Sequence, residues 1–226
     1  FVANLFALNS GEYGQALVAL GGVENAQALQ SMVQSFGGLN NALSERLRTA
    51  SPGAVPVLGY AEDAGAPLQT AALGGGGGAG WTVWARGNHG WGSLAGDANA
   101  PGFDFSQTGG YVGADKQIGP NAVFGVAVGY LGTSLDFSSA AVNYSGFQIA
   151  GYGGWDNTQT YVHGVLGFGR FDGTSRRTTF GMTASGDFDA NVFSGYGEVG
   201  HRFRMGATQI TPFAGLSLAT ARIGGF

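Results

Sequence analysis

The spacing of hydrophobic positions changes along the chain, from a helical period in the first part to a two-residue period after Gly80. Between residues 26 and 36 the apolar side chains recur at i, i+3, i+4 and i+7, which predicts one face of an α-helix. These side chains are Leu29, Met32, Val33 and Phe36. The pair Gly37-Gly38 is expected to interrupt this helix, and a second helical stretch is predicted over 39–48. Residues 1–48 are therefore assigned to an N-terminal helical segment.

Residues 49–79 have the composition of a flexible linker, because they contain three prolines and a run of five glycines, 74–78. The two-residue period then continues to the end of the chain and predicts seven β-strands, each bounded by turn-forming residues. The predicted strands lie near 80–92, 103–118, 122–137, 143–157, 161–180, 188–205 and 209–220.

The connections between these strands differ in length. Tight turns are predicted at 119–121, 157–159 and 206–208, where glycine, proline or asparagine is present. Longer links are predicted at 95–102, 138–142 and around 181–187. Short turns on one rim and longer loops on the other are typical of up-and-down membrane barrels.

The two faces of the predicted strands favour the same architecture. In the third strand Phe124, Val126 and Val128 share one face, while Gly125 and Ala127 share the other. A soluble sandwich would expose charged residues on its second face, whereas small, weakly polar residues suit a confined lumen. The predicted fold class is therefore all-β, an antiparallel up-and-down transmembrane β-barrel over 80–226.

Seven is an odd number of strands, whereas bacterial single-chain barrels have an even number. An open sheet in lipid would also leave unpaired amide groups at both edges, each at a cost of several kcal/mol. We therefore expect further strands beyond Phe226.

Composition excludes several other classes of protein. The chain has 226 residues with 44 glycines and no cysteine, and its formal net charge is −4. The absence of cysteine excludes disulfide scaffolds and cysteine-ligated zinc sites, and the negative charge gives no electrostatic reason to bind nucleic acid. The hydrophobic share of 44% argues against disorder. No stretch reads as a transmembrane helix.

The order of a helix, a linker and antiparallel strands resembles the translocator unit of the monomeric autotransporters, the type V secretion family. Several short motifs carry the resemblance, each weak alone but in the family's order. They are Glu12–Leu20 with Ala26–Leu29, the stretch Phe36–Leu47, Val83–Gly87, Gly110–Asp115, Gly125–Tyr130, Glu198–Phe203 and Thr211–Leu216. The resemblance implies a barrel of twelve strands, of which about seven are present, and a helix that plugs the pore.

The resemblance also implies transport rather than enzymatic turnover. Such a unit inserts in the bacterial outer membrane and allows an upstream passenger to reach the cell surface. Its partners would be outer-membrane lipid, its own passenger and pore helix, the barrel assembly machinery and periplasmic chaperones. No cofactor, metal or nucleic acid is expected. The alternative is an outer-membrane channel or adhesin barrel without a passenger.

Two groups of residues are candidates for function. Asn40-Asn41 resembles the site at which some autotransporters cleave their passenger, although the linker that follows is much longer than in that subgroup and two polar residues on a helix are the favoured explanation of so short a motif. The second group falls on the predicted lumen face and is expected to line the pore, in contact with the helix or paired within the group. Its members are Arg86, Asp115, Tyr152, Glu198 and Arg202.

Candidates for other chemistry are weaker. The three histidines fall on separate strands and no Gly-x-Ser-x-Gly motif occurs, so neither a metal cluster nor a hydrolase site is predicted. Arg170, Arg176 and Arg177 lie around a predicted outer loop, where solvation and contact with lipid phosphates are both open.

Overall fold

The computed structural model describes residues 23–50, 71–73, 80–96, 101–179, 182–206 and 208–224. One helix, α1 (Val23–Ala50), precedes ten strands. The strands are β1 (Ala71–Leu73), β2 (Trp81–Leu94), β3 (Phe103–Ile118), β4 (Ala122–Phe137), β5 (Ala140–Asp156), β6 (Thr160–Thr179), β7 (Met182–His201), β8 (Phe203–Met205), β9 (Thr208–Ile210) and β10 (Phe213–Gly224).

Eight of these strands form one antiparallel sheet in the order β1-β2-β3-β4-β5-β6-β7-β10. Nearly every strand pairs with its neighbour in sequence, which is the up-and-down topology that the alternation predicts. Strands β8 and β9 form a separate two-stranded hairpin between β7 and β10. The sheet is open, with β1 and β10 at its edges.

The seven strands predicted from sequence correspond to β2 through β7 and β10, which confirms the antiparallel fold. Two of the predicted longer links are wrong. The β4–β5 connection is only 138–139, and β6 and β7 each extend for 20 residues, with Thr179 paired to Met182. The sequence predicted a loop around 181–187 because residues 183–187 are small or polar. Their cross-strand pairing with β6 nevertheless forms a strand there.

The helix also differs from its prediction. Helix α1 is continuous through Gly37-Gly38, which the sequence predicts as an interruption. Both glycines are exposed, while Phe36 and Leu39 on either side are buried, so packing of the flanking turns outweighs the low helix propensity of glycine. The predicted linker also contains regular structure at both of its ends. Residues 49–50 belong to helix α1, and residues 71–73 form strand β1, which pairs with β2 so that Leu73 lies opposite Val83. Residues 1–22, 51–70 and 74–79 lie outside the described residues.

The two faces of the sheet have different compositions. The outer face carries exposed large hydrophobic residues, among them Val126, Val128, Ile149 and Leu166. The other face, here called the concave face, is buried beneath α1. No helix in the described part of the chain is long and apolar enough to cross a membrane.

Aromatic side chains on the concave face lie across glycines of the next strand. Trp84 is paired with Gly113, and a Cβ on that glycine would come within 2.4 Å of the indole ring. The same register joins Tyr111 to Gly129 and Tyr152 to Gly125. Close packing of large rings therefore requires hydrogen in place of a side chain, and this explains part of the high glycine content.

Candidate functional site: the helix seat

Helix α1 buries one stripe of side chains against the concave face. The stripe is Ala28, Met32, Phe36, Leu39, Leu43 and Leu47. Met32 and Phe36 belong to the face predicted from sequence, whereas Leu29 and Val33 lie at its half-buried margin. The Phe36 ring fits over Gly167 and Gly169, where an added Cβ would come within 2.9 Å of the ring. The concave-face residues that contact α1 are called the helix seat below.

Asp115 is the centre of one polar cluster in the helix seat. Arg46 of α1 donates to both of its carboxylate oxygens, from Nε at 2.8 Å and from Nη2 at 3.0 Å. Tyr152 donates its hydroxyl to Asp115 Oδ2 at 2.9 Å, and the Tyr152 oxygen in turn accepts a bond from Trp84 Nε1 at 2.7 Å. The carboxylate is buried, so its charge is compensated by a bidentate guanidinium and a hydroxyl rather than by water.

Glu198 is the centre of a second cluster, which is contacted by Arg48, two residues further along α1. Arg48 Nη2 lies 2.6 Å from both Glu198 oxygens. Tyr161 donates to Oε1 at 2.8 Å, and Tyr196 donates to Oε2. The Glu198 side chain is fully buried, while that of Arg48 is 37% exposed. The carboxylate therefore has four hydrogen bonds and no access to solvent, which makes it the most enclosed charge on this face.

Neutral contacts hold the middle of the helix, and an ion pair holds its N-terminal end. Ser31 and Tyr144 share a hydrogen bond of 2.8 Å between their hydroxyls, and Gln148 donates to Ser35 at 2.8 Å. At the first turn Arg177 Nε donates to Glu24 at 2.6 Å. The helix is thus fixed by polar contacts along its whole length.

The remaining predicted lumen residues have weaker or different partners. Arg86 pairs with Glu45 of α1 at 2.6 Å, but the Glu45 side chain is 61% exposed, so the pair contributes little. Arg202 pairs with Asp156, through two bonds of 2.7 Å, and not with the helix. The hydrogen bonds that Asp156 accepts raise the pKa of the Arg202 guanidinium above its usual value.

The helix runs from one rim of the sheet to the other. We call the rim that carries the connections 119–121 and 157–159 the turn rim, and the rim with 138–139 and the strand ends Thr179 and Met182 the opposite rim. Arg46 and Arg48 contact Asp115 and Glu198, each of which lies three positions from a strand end at the turn rim. Glu24 contacts Arg177, two residues from the end of β6 at the opposite rim. The 28 residues of α1 span about 42 Å.

Asn40 and Asn41 lie on different sides of the helix. Asn40 is buried against the sheet, and its side-chain oxygen has no partner among the described residues, whereas Asn41 is exposed. The hydrogen bonds of the described part of the chain place no carboxylate on either residue. Cleavage between them stays a prediction.

The sequence interpretation missed the helix side of the charge pairs. It identified Asp115 and Glu198 on the strands but neither their partners on α1, Arg46 and Arg48, nor the pair that Glu24 of α1 forms with Arg177. Part of the signal was present in the sequence, because Arg46 and Arg48 lie near one end of the helix and Glu24 near the other, and each has an opposite charge available on the strands. Nothing in the sequence sets the register between helix and sheet, so the pairing required the structure.

Comparisons with known proteins agree with this architecture. The family model described as autotransporter beta-domain matches residues 83–226. The chain is 30% identical over 131 residues to Probable autotransporter YpjA of Escherichia coli (strain K12), a match that covers 55% of this chain and 8% of that protein. The chain therefore spans less than a tenth of the length of this relative. No solved structure matches the chain.

Proposed function

The chain belongs to the autotransporter β-domain family, and from this we propose that it anchors in the bacterial outer membrane and lets an upstream passenger reach the cell surface. The family consists of translocator domains rather than enzymes. The observation that carries the proposal is helix α1, which lies along the concave face from one rim to the other.

The outer face of the sheet supports contact with lipid. Its hydrophobic residues form continuous rows across neighbouring strands, for example the exposed Val128, Ile149 and Phe193 with the half-buried Phe168 between the last two, in successive cross-strand pairs. Aqueous solvent would disfavour such a surface, because each large side chain would gain about 1.5–3 kcal/mol on burial. The bacterial outer membrane supplies the apolar environment that these rows require.

The direction of the helix supports export. Its C-terminal end and Trp81, the first residue of β2, both lie at the turn rim, since Trp81 pairs with Lys116 close to the turn at 119–121. Its N-terminal end lies at the opposite rim, beside Arg177. The long β6–β7 hairpin extends at the opposite rim with polar outer positions, and the longer extensions of outer-membrane barrels face the cell exterior, so the chain upstream of α1 would leave the barrel on the cell-surface side.

The helix seat provides the pore lining in this proposal. Asp115, Tyr152 and Glu198 would line the pore and hold the helix through Arg46 and Arg48. Arg86 would line it beside Glu45, and Arg202 would lie at the periplasmic mouth on Asp156. By family resemblance, the assembly machinery of outer-membrane barrels and periplasmic chaperones are the partners during insertion.

The export proposal is tested on the full-length protein in bacteria, with an epitope placed just upstream of Phe1. Intact cells are treated with external protease, and loss of the epitope is followed against a periplasmic control protein. Loss of the epitope with the control intact is expected. Protection until the outer membrane is broken would refute export and favour the alternative, a channel or adhesin barrel without a passenger.

The orientation of the helix has its own test, which uses the absence of native cysteine. Ala26→Cys and Thr49→Cys place single thiols at exposed positions near opposite ends of α1. A bulky membrane-impermeant maleimide should label Ala26→Cys on intact cells, and Thr49→Cys only after the outer membrane is permeabilised. The reverse order would show that the barrel is inserted with the opposite polarity.

A further inference from the structure

The described arginines fall into two groups according to their partners. Five of them pair with carboxylates, and these pairs involve Arg46, Arg48, Arg86, Arg177 and Arg202. Among the described residues, Arg170, Arg176, Arg204 and Arg222 make no ion pair. Two of these unpaired arginines, Arg170 and Arg222, lie in one row across the outer face, since Arg170 pairs with Asn191 and Asn191 pairs with Arg222.

This arginine row lies where the outer face changes from apolar to polar. One row nearer the turn rim are Ile149, Phe168 and Phe193, with the Phe168 and Phe193 ring centroids 4.8 Å apart. One row nearer the opposite rim are Asp172 and Asp189, which are direct cross-strand partners. The boundary between apolar and charged rows is the level at which lipid headgroups lie in a membrane.

A concavity on the outer face adjoins the arginine row on its polar side. It has a volume of about 730 Å³, and its lining includes Arg170 and the side chains of Ser145, Asn143, Asp172 and Asp189. The whole lining offers one guanidinium, one amide, several hydroxyls and three carboxylates, those of Asp172, Asp187 and Asp189. This mixture of donors and acceptors is suited to a headgroup that carries both phosphate and sugar hydroxyl groups, since carboxylates accept hydrogen bonds from hydroxyls and guanidinium donates to phosphate.

We propose that this outer-face site, formed by Arg170, Arg222 and the adjoining concavity, binds the headgroup of a phosphorylated glycolipid in the outer leaflet. Arg170 and Arg222 lie on strands two positions apart, about 9.6 Å across the sheet, and donate to phosphate groups. Asp172 and Asp189 accept from sugar hydroxyls. A headgroup with these donors also offsets the repulsion between the two opposed carboxylates.

The site rests on the proposed function, because it requires the opposite rim to face the outer leaflet. The apolar row that lies next to the arginine row argues for a lipid as the occupant rather than for a soluble anion. The arginine row lies directly beside the apolar row of Ile149, Phe168 and Phe193, so an occupant whose acyl chains cover those residues places its headgroup on the arginines.

The test measures binding of fluorescent lipid A to the purified full-length protein in a detergent that contains no sugar. Arg170→Gln and Arg222→Gln should each weaken binding about tenfold, as expected for the loss of a charge-assisted hydrogen bond. Arg204→Gln is the matched control, because Arg204 is an exposed arginine on β8 at the turn rim without an ion pair among the described residues. Its binding should equal that of the unchanged protein.

Two further arms separate a headgroup site from simple charge attraction. Asp189→Asn removes a negative charge beside the arginines, so simple attraction predicts tighter lipid A binding, whereas loss of a sugar contact predicts weaker binding. Phosphatidylglycerol, which carries phosphate without sugar, and inorganic phosphate should compete at least tenfold more poorly than unlabelled lipid A. Equal competition, or tighter binding by Asp189→Asn, would overturn the glycolipid assignment.

Failure of this inference is distinguishable from failure of the proposed function. If Arg170→Gln and Arg222→Gln bind lipid A like the unchanged protein while the epitope upstream of Phe1 is still cleaved on intact cells, the headgroup site is refuted and export stands. If that epitope is protected on intact cells, export is refuted.

Discussion

Replacement of Glu198 by glutamine is the sharpest perturbation of the helix seat, because it changes charge with little change in volume. The side chain is fully buried and accepts four hydrogen bonds, from Arg48, Tyr161 and Tyr196. Glutamine keeps one acceptor oxygen but presents an NH2 group where a second acceptor is needed. Glu198→Gln therefore removes the counter-charge of Arg48. It also places the NH2 group of glutamine against the hydrogen-bond donors of the neighbouring side chains.

The free-energy cost of Glu198→Gln follows from the burial of the two charged side chains. Removal of one partner from a buried ion pair costs about 3–5 kcal/mol. The Arg48 side chain is 37% exposed and can regain water, which reduces the cost to about 2–3 kcal/mol. Docking of α1 should therefore weaken by about 30- to 150-fold relative to the undocked helix.

The assay follows release of the helix from the full-length barrel. A fluorophore on Asn41→Cys, an exposed helix position in a chain without native cysteine, reports docking as urea is increased. Glu198→Gln should lower the urea midpoint of release and raise ion conductance in a planar bilayer. Strand content, measured by circular dichroism, should not change at the same urea concentrations.

Arg86→Gln is the matched control for this experiment. Its partner Glu45 is 61% exposed, and such surface pairs contribute at most about 1 kcal/mol. The release midpoint should therefore move far less than with Glu198→Gln. If the two variants shift the midpoint equally, burial does not determine the strength of these contacts and the reasoning fails.

Three further predictions concern packing and use the same release and folding assays. Phe36→Ala should cost about 3–5 kcal/mol of docking, because a buried ring is removed; a midpoint equal to that of the unchanged protein would show that α1 is not seated there. Gly113→Ala should impair barrel folding, seen as loss of heat-modifiable mobility in detergent gels, since its Cβ would meet Trp84 at 2.4 Å; normal mobility would contradict the packing. Gly37→Ala with Gly38→Ala should stabilise the docked helix by about 1–2 kcal/mol, because neither Cβ meets another atom within 4 Å; a lower midpoint would show that these glycines serve another purpose.

The sequence predicted the sheet well because the alternation of its residues has a direct physical cause. One face of β4 contacts the helix and the other is exposed, so Val126 and Val128 alternate with Ala127 and Gly125 along the whole strand. Turn residues mark the strand ends equally clearly, as at Gly119, whose φ of 65° favours glycine. Strands and turns of this kind can be predicted from neighbouring residues alone, without knowing which distant residues they contact.

The first residues of β7 could not be predicted in the same way, although β6 was predicted as a strand over 161–180. Residues 183–187 are small or polar, including Gly186 and Asp187, and this composition is typical of a loop. Pairing of the two strands determines the structure there, through partners such as Thr174 and Asp187, whose side chains share a hydrogen bond of 2.9 Å. The cause lies in contacts between strands and not in local propensity.

The helix seat shows the same division between local and distant causes. Charges on the strands could be assigned to the lumen face by parity, but their partners on α1 depend on how the helix is placed along the sheet. That placement is fixed at Phe36, whose ring requires Gly167 and Gly169 beneath it. Once the ring is seated, Arg46 and Arg48 lie ten and twelve residues further along the helix, about 15–18 Å away, where the buried carboxylates are.

The continuity of α1 through Gly37-Gly38 has a consequence for how the helix forms. Each glycine lowers helix stability by about 1 kcal/mol relative to alanine, and isolated helices are marginal in water. The buried residues Phe36 and Leu39 on either side hold the helix together only when they pack against the sheet. Helix formation and docking are therefore coupled, so the variants that weaken docking most should also lower the helix content of residues 23–50. Glu198→Gln, which leaves the helix sequence unchanged, separates this coupling from intrinsic propensity: loss of helical protection against amide hydrogen exchange in this variant would support it, and full protection in an undocked helix would refute it.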